Sequence, residues 1–480
     1  MSNQNGLRPQ QKQQHEQVVV VMVPFPAQGH LNQLLQLSRL LLSYDIPIHY
    51  AGTASHNRQA KVRVHGWNPL SLAASNIRFH DFEIPRFHCP LPDPNATINF
   101  PSHLQPCFNA TAKHLIDPVT MLLRSLSSKN RRVIIIHDSL MGSVIQEARF
   151  LPNVESYSFH SVSAFTVYLY IWEAMQGNTI VANDVIPKDI PSLEGCFTSE
   201  FMDFVNSEYD YHKFNSGSLY NTSRVIENAY MELLEQSTIA KSIKHWALGP
   251  FNPVTITKNK QKDSNRKHYC LEWLDKQAPN SVVYVSFGTT TAMNDGQIKE
   301  LAIGLKQSNQ KFIWVLRDAD KGDVFDDNQV RRAKLPKGYE DSIKDKGLVV
   351  RDWAPQLEIL GHPSTGGFVG HCGWNSCMES ITMGVPIGAW PMHSDQPRNA
   401  VLITQVLKVG IVVKDWSKRN EIVTSNRVEK AVKILMASKE GEEMRKRAIK
   451  LSGDVRRSMD KGGASRMEMD SFVAHITRVG

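Results

Sequence analysis

Two side chains that could move a proton follow apolar runs of the sequence. His30 lies between the run Val18–Val23 and the helical pattern Leu31–Leu42, and Asp138 directly follows the run Arg132–His137. The carboxyl ends of neighbouring parallel strands meet at one edge of a sheet, so we expect both side chains at that edge. A histidine there could accept a proton from a hydroxyl, and a buried carboxylate on its other ring nitrogen would fix the tautomer.

The same positions allow a purely structural interpretation. His30 could cap a turn, and Asp138 could be an ordinary helix N-cap. His137 is a weaker candidate base, because adjacent residues of a strand point to opposite faces of the sheet. The catalytic pair is therefore a hypothesis at this point.

A second polar group occupies the C-terminal half. In the stretch His371–Glu379, a glycine-containing loop leads into a helical pattern, and the free N–H groups at the start of such a helix can hold a diphosphate. Asn375, Ser376 and His371 could add side-chain hydrogen-bond donors. Glu379, one turn further on, could accept hydrogen bonds from ribose hydroxyls. This spacing indicates a nucleotide site.

These residues need a scaffold of alternating strands and helices, and the sequence supplies one in each half. Short apolar runs separated by helical patterns predict βαβ units with a parallel sheet buried on both faces. In the second half the runs are Val282–Phe287, Phe312–Leu316, Leu348–Val350, Gly367–Val369, Pro386–Trp390 and Ile411–Val413. The fold class is therefore α/β, with two Rossmann-like doubly wound domains facing each other across a cleft.

Length and composition set the divisions of the chain. A chain of 480 residues is too long for one core, and a polar stretch over 255–267 has the composition of a linker. The predicted divisions are a disordered tail over 1–16, an N-terminal domain over 17–250, a linker over 251–267, a C-terminal domain over 268–455 and a terminal segment over 456–480.

Charge, cysteine usage and hydropathy argue against several classes of protein. The 55 Lys and Arg against 47 Asp and Glu give a net charge of +8, but the basic residues are dispersed and not interleaved with aromatics, so we expect no nucleic-acid partner. Six scattered cysteines indicate reduced thiols, not a zinc site or a disulfide framework. The longest apolar run near the N-terminus is too short for a signal sequence or a membrane span, so we expect a cytoplasmic protein without membrane attachment.

The segment Trp353–Gln396 resembles the signature of plant secondary-product glycosyltransferases. Phe25–Gln33 is similar to the catalytic-histidine segment of that family, and Val285–Thr289 to the first strand and loop of its C-terminal domain. The resemblance implies the GT-B fold, an acceptor-binding N-terminal domain and a C-terminal domain that binds a UDP-sugar. It also implies that a terminal helix, here Ser465–Ile476, returns to the N-terminal domain.

The resemblance implies a role for each residue of the nucleotide-sugar site. Trp353 would stack on uracil, Gln356 would lie beside base and ribose, and Glu379 would hold the ribose hydroxyls. The diphosphate would be bound by Thr289, His371, Asn375 and Ser376. The sugar would be contacted by Trp374, Asp395 and Gln396. The complete set is Thr289, Trp353, Ala354, Gln356, His371, Trp374, Asn375, Ser376, Glu379, Asp395 and Gln396. Gln396 at the end of the signature favours UDP-glucose, and neither a metal nor another cofactor is expected.

Within the family, the likeness is to cytokinin (zeatin) O-glycosyltransferases, through Gln28–Arg39, Thr53–Lys61 and Met392–Asn399. The expected reaction is inverting transfer of glucose to a hydroxyl of a small apolar or aromatic plant metabolite such as zeatin, by a monomer. Flavonoid or phenolic acceptors and UDP-xylose as the sugar donor remain alternatives. A further alternative is a protein that senses a nucleotide sugar without transferring it. The pairing of His30 with Asp138 argues against this alternative. The acceptor loops are predicted at Phe87–Pro92, His160–Phe165 and Tyr168–Trp172.

Overall fold

The computed structural model describes residues 17–64, 66–71, 76–175, 185–237, 243–256, 267–325 and 333–479. The predicted tail over 1–16 and most of the predicted linker, residues 257–266, lie outside this part of the chain. All six cysteines lie within it and are free thiols. No helix of the described ranges is both long and apolar enough to cross a bilayer.

The N-terminal half forms a parallel sheet with the strand order β3-β2-β1-β4-β5-β6-β7. Its central strands form because β-branched runs such as Val18–Val23 are buried on both faces of the sheet. In the register of β1 with β4, Val20 lies opposite Ile134. The strands are β1 (Val18–Val23), β2 (Ile48–Thr53), β3 (Ile77–Phe82), β4 (Arg132–Asp138), β5 (Val154–His160), β6 (Gly217–Tyr220) and β7 (Lys244–Ala247).

The C-terminal half forms a second parallel sheet, with the order β10-β9-β8-β11-β12-β13. The strands predicted for this half all form, and their observed ends differ from the predicted ones by at most two residues. They are β8 (Val282–Ser286), β9 (Lys311–Val315), β10 (Gly347–Val350), β11 (Thr365–Gly370), β12 (Ile387–Ala389) and β13 (Gly410–Val412). Two parallel α/β domains confirm the predicted fold class.

Helices cover both faces of each sheet. Those of the first half are α1 (Gln28–Leu42), α2 (Ala54–Arg63), α3 (Gln105–Ser127), α4 (Ala164–Ala174), α5 (Ser199–Tyr209) and α6 (Arg224–Gln236). Those of the second half are α7 (Tyr269–Leu274), α8 (Asp295–Gln307), α9 (Tyr339–Ser342), α10 (Gln356–Leu360), α11 (Trp374–Met383), α12 (Gln396–Val401), α13 (Ser425–Ala437), α14 (Lys439–Ser458) and α15 (Ala464–Thr477).

The last helix, α15, packs on the sheet of the N-terminal half. Its buried residues Met469, Phe472 and Ile476 join the core that contains Tyr157 and Trp246. Burial of each large apolar side chain contributes about 1.5–3 kcal/mol. Strand β1 and helix α15 thus share one core, and the cleft lies between the two sheets.

Candidate active site

The cleft contains one large cavity of about 1120 Å³ with walls from both halves of the chain. All of the site residues predicted from the sequence line this cavity except Asp138, which is completely buried next to His30. The structure therefore brings the two predicted polar groups together, although 323 positions separate residues 30 and 353.

His30 and Asp138 are in direct contact at the carboxyl edge of the first sheet. Helix α1 begins at Gln28, so His30 lies in its first turn, and His30 Nδ1 is 2.7 Å from Asp138 Oδ2. The other carboxylate oxygen, Oδ1, accepts the backbone N–H of Leu140 at 3.0 Å. An ionised carboxylate can only accept hydrogen bonds, so Nδ1 carries the proton and Nε2 keeps its lone pair.

The surroundings of this pair distinguish the two candidate bases. His30 Nε2 lies 3.5 Å from Ser161 Oγ, and the His30 ring lines the cavity. His137 does not line the cavity: its ring nitrogens lie 2.8 Å from the backbone oxygen of Asp138 and 3.0 Å from the Asn215 side-chain oxygen. His30 is therefore the ring available to a substrate hydroxyl.

Helix α11 faces the cavity with its N-terminus, as the sequence predicted for a diphosphate site. Strand β11 ends at Gly370, and α11 begins at Trp374, so Asn375 and Ser376 occupy the first turn. In the same region Gln356 Nε2 donates to Ser376 Oγ at 3.0 Å and to Glu379 Oε2 at 2.7 Å. The residues expected beside the ribose thus already form one hydrogen-bonded group.

His371 lies in the loop between β11 and α11 and is partly buried at the wall of the cavity. Burial lowers its pKa to about 4, so its ring is neutral at neutral pH in the free protein. Its Nδ1 has no hydrogen-bonding partner in the described part of the chain. A Cβ atom at Gly288 or Gly373 would lie 2.7 or 2.6 Å from its Nε2, so both glycines make room for the ring.

Trp353 is bounded by two arginines that sequence reasoning missed. The guanidinium carbons of Arg63 and Arg317 lie 4.9 and 5.6 Å from the indole centroid. Asp320 binds both arginines, at 2.6 Å from Arg63 and 2.9 Å from Arg317. Since Arg63 belongs to α2 of the N-terminal half, this group joins the two domains next to the expected uracil position. Its sequence signal was weak, because a lone arginine in a helix indicates no function.

Asp320 also belongs to the one Asp-x-Asp triplet of the sequence, Asp318-Ala319-Asp320. Such triplets can hold a divalent cation, but the Asp320 carboxylate is already paired with two guanidinium groups. In the described residues, no group of three or more His, Cys, Asp or Glu side chains has the arrangement of a metal site.

The residues expected to contact the sugar already form some hydrogen bonds within the protein. Gln396 Oε1 accepts the backbone N–H groups of Met392 and His393 at 2.9 and 3.1 Å, and its amide nitrogen lies 3.4 Å from both ring nitrogens of His393. Trp374 Nε1 donates to the Asn221 carbonyl at 2.9 Å, across the domain boundary. Burial raises the pKa of Asp395 to about 6, against an opposing hydrogen bond from Asn399.

The acceptor half of the cavity differs in part from the prediction. Residues of His160–Phe165 and Tyr168–Trp172 line it, whereas none of Phe87–Pro92 does. The prediction of a loop over Tyr168–Trp172 is wrong, because that segment lies within helix α4. The remaining aromatic wall comes from positions that the sequence did not single out: Phe25, Phe100, Phe108, Phe197 and Phe201. These residues come from separate loops and helices, so no local pattern marks them as one surface.

Two facing Rossmann-like domains with a helix N-terminus and a histidine–aspartate pair at the cleft are typical of a two-domain α/β enzyme that acts on a nucleotide-linked substrate. Family models match the chain as "Glycosyltransferase, N-terminal domain" over residues 16–253 and as "UDP-glucoronosyl and UDP-glucosyl transferase" over residues 201–454. The chain belongs to this UDP-glucoronosyl and UDP-glucosyl transferase family, and it is a UDP-glycosyltransferase with the GT-B fold.

Individual relatives cover almost the whole chain. It is 58% identical to zeatin O-glucosyltransferase of Phaseolus lunatus, over 97% of this chain and 98% of the relative. It is 56% identical to zeatin O-xylosyltransferase of Phaseolus vulgaris, over 96% of this chain and 98% of the relative. The solved structure of Phytolacca americana UGT2 complexed with UDP-2fluoro-glucose and pterostilbene is 26% identical, with a TM-score of 0.75, and the match covers 96% of this chain and 99% of that one.

Proposed function

We propose that this enzyme transfers glucose from UDP-glucose to a side-chain hydroxyl of a cytokinin such as zeatin and forms a β-O-glucoside. The observation that carries the proposal is the contact of His30 Nδ1 with Asp138 Oδ2 at 2.7 Å, at the wall of the cavity that also contains Trp353 and α11. The 58% and 56% identity to two zeatin O-glycosyltransferases supports the cytokinin as acceptor.

The transfer follows from the tautomer of His30. As the acceptor oxygen attacks the anomeric carbon, its proton passes to His30 Nε2, and Asp138 stabilises the imidazolium that forms. The new carbon–oxygen bond forms while the bond between the anomeric carbon and the diphosphate breaks, and UDP leaves with the bonding electrons. Attack from the face opposite the diphosphate inverts the α-linked sugar to a β-glucoside without a covalent enzyme intermediate.

The negative charge that develops on the leaving diphosphate is met by α11. The free N–H groups of its first turn, with the side chains of Asn375, Ser376 and Thr289, form the expected diphosphate site. His371 is neutral before the nucleotide binds and can take up a proton beside the bound diphosphate. We propose that these groups replace a divalent cation.

The choice of glucose over xylose is the finer part of the proposal. Gln396 Oε1 is held by two backbone N–H groups, and its amide nitrogen, which lies 3.4 Å from both ring nitrogens of His393, would donate to a sugar hydroxyl placed beside it. Asp395, next to it, can accept from another hydroxyl. The relative that is a zeatin O-xylosyltransferase makes UDP-xylose the direct alternative, because xylose differs from glucose only by the hydroxymethyl group.

The deciding experiment offers both nucleotide sugars to the purified enzyme with zeatin and with a flavonol and a simple phenol. We expect a single product, a zeatin β-glucoside, recognised by its mass and by the large anomeric proton coupling in NMR. A pentoside would assign UDP-xylose as the donor, and products from the flavonol alone would refute the cytokinin acceptor. An α-linked product would contradict the single displacement.

Three further points complete the proposal. We propose that the enzyme acts in the cytoplasm, as a monomer and without a nucleic-acid partner. Size-exclusion chromatography with light scattering tests the oligomeric state, for which the chain mass of 54.2 kDa is the expected value.

A further inference from the structure

The face of the first sheet that adjoins the cavity is polar where a buried parallel sheet is normally apolar. His137, Ser158, Ser218 and His245 lie opposite one another in register across β4, β5, β6 and β7. All four side chains are at least nine-tenths buried. Strands with helices on both faces usually carry near-continuous apolar residues, so this row is not explained by folding.

The opposite face of the same strands shows the ordinary pattern. Phe159, Leu219 and Trp246 lie in register on β5, β6 and β7, and all three belong to an apolar core. Successive side chains of these strands therefore point alternately to an apolar packing face and to a polar face. Burial of a polar group is costly unless the group forms hydrogen bonds, so the polar face needs a partner.

The polar face carries a group of imidazoles that we call the histidine cluster: His137, His160, His212 and His245. His160, His212 and His245 line the cavity, and the His212 ring is 6.0 Å from the rings of both His137 and His160. The cluster adjoins the reaction centre, because Ser161, which follows His160, lies 3.5 Å from His30 Nε2.

Three members of the cluster, His137, His160 and His212, are neutral at neutral pH because their pKa values are lowered. Burial lowers the pKa of His160 far below its ordinary value, and the neighbouring histidines lower it further. Burial likewise lowers the pKa of His212 to about 4 and lowers that of His137. A neutral imidazole offers one N–H donor and one lone pair, so these three rings present donors and acceptors together, without a net charge.

Several of these groups are already paired, but the pairing is incomplete. His212 Nε2 lies 2.8 Å from the Ser139 carbonyl, and the Tyr220 hydroxyl lies 3.1 Å from His245 Nδ1. The His160 ring stacks on Tyr220, with centroids 4.9 Å apart. His160 Nδ1 is buried and has no hydrogen-bonding partner among the described residues. A buried nitrogen of this kind is stabilised when a ligand supplies the missing partner.

On the basis of the proposed function, we propose that the histidine cluster recognises a neutral nitrogen heterocycle, the purine of the acceptor, while the hydroxylated side chain of that acceptor extends to His30. A purine carries ring-nitrogen acceptors and N–H donors in one plane, which complements neutral imidazoles and the hydroxyl of Ser218. Phe25, whose ring centroid is 5.0 Å from that of His30, supplies an apolar wall for the aliphatic side chain.

The same chemistry discriminates against simple phenols. A phenol must direct its hydroxyl to His30, and it then has no heteroatom to pair with the cluster. A site built to form hydrogen bonds rejects an analogue that lacks the matching groups, because the buried groups of the protein remain unpaired.

The test compares two acceptors with the same hydroxylated side chain: the purine itself and an analogue in which ring nitrogens are replaced by C–H. The variants are His160→Phe and His245→Phe, and the control is His114→Phe, on α3 away from the cavity. In the variants we expect KM for the purine to rise about tenfold or more, with KM for UDP-glucose unchanged. KM for the carbon analogue should stay the same, so that the preference of the wild type for the purine is lost.

Equal changes for both acceptors, or no change for either, would refute the recognition role. Direct binding of the unreacted purine, measured by calorimetry in the presence of UDP, separates this outcome from failure of the proposed function. If the wild type binds the purine and His160→Phe does not, but no sugar is transferred to it, the recognition site stands and the proposed reaction is wrong. If transfer occurs and both variants keep the wild-type KM, the reaction stands and the recognition site is wrong.

Discussion

The substitution Asp138→Asn tests the catalytic pair more sharply than removal of the base itself. Asp138 Oδ2 faces His30 Nδ1 at 2.7 Å, and Oδ1 accepts the Leu140 N–H at 3.0 Å. In the variant, only one end of the side chain can accept a hydrogen bond. The Leu140 N–H requires the amide oxygen, so the amide NH2 group must face His30.

This orientation reverses the tautomer of His30. With an N–H donor opposite, Nδ1 must provide its lone pair, and the proton moves to Nε2, where the acceptor hydroxyl needs a base. General base catalysis contributes about 10²–10⁴-fold in rate. We therefore expect kcat to fall about 10³-fold, which is about 4 kcal/mol of activation free energy, although only an oxygen has been replaced by nitrogen.

The assay is steady-state glucosyl transfer, with UDP binding measured by calorimetry as the control for folding. The matched control variant is Asp117→Asn on α3, which changes the same functional group outside the cavity. We expect unchanged UDP affinity in both variants and normal kcat in the control. If the Asp138→Asn variant kept more than a tenth of the wild-type kcat, the argument from the Leu140 N–H and the tautomer would be wrong.

Three further predictions concern the rest of the cleft. His30→Ala should remove most transfer but leave UDP affinity nearly intact, and loss of UDP binding in the folded variant would contradict this division. Trp353→Ala should lower UDP affinity by about 1–3 kcal/mol, the usual contribution of a stacked base, in a calorimetric titration; equal affinity would exclude stacking. The pKa of Asp395 rises from 3.8 to about 6 on folding, so the folded protein binds this proton more tightly, and the free energy of unfolding falls as pH rises from about 4 to 6. In urea unfolding, the stability of the Asp395→Asn variant relative to wild type should therefore be greater at pH 7 than at pH 4.

The absence of a required metal is predicted separately. Prolonged dialysis against EDTA should leave kcat and KM for UDP-glucose unchanged, because in the proposed mechanism helix α11 and His371 stabilise the diphosphate. Recovery of lost activity by added Mg²⁺ or Mn²⁺ would contradict this prediction.

The sequence predicted the second sheet better than the first. Strands β8 to β13 lie in apolar runs of the sequence, and such runs are visible without a structure. In the first sheet, β5, β6 and β7 carry His160, Ser218 and His245 on the face that adjoins the cavity. Their alternation of polar and apolar residues hid them from a search for apolar runs, so the departure from the usual pattern was itself a signal of the site.

The predicted site residues meet in one cavity, but the contacts that hold them were outside the reach of the sequence. The role of Leu140 as a hydrogen-bond donor to Asp138 depends on a turn after β4. The bridge from Arg63 to Asp320 depends on how the two domains face each other. Neither contact is marked by a local sequence pattern, because the folded structure brings its two partners together.

Helix α15 has a consequence for the synthesis of the chain. The strand residues Tyr157 and Trp246 are covered by Phe472 and Ile476, which are synthesised only after the second domain. The N-terminal sheet therefore exposes an aromatic surface during translation of the whole second domain, a period in which chaperone binding or aggregation competes with completion of the core. A premature stop codon before residue 464 leaves that surface permanently open to solvent, even though every residue of the cavity has been made.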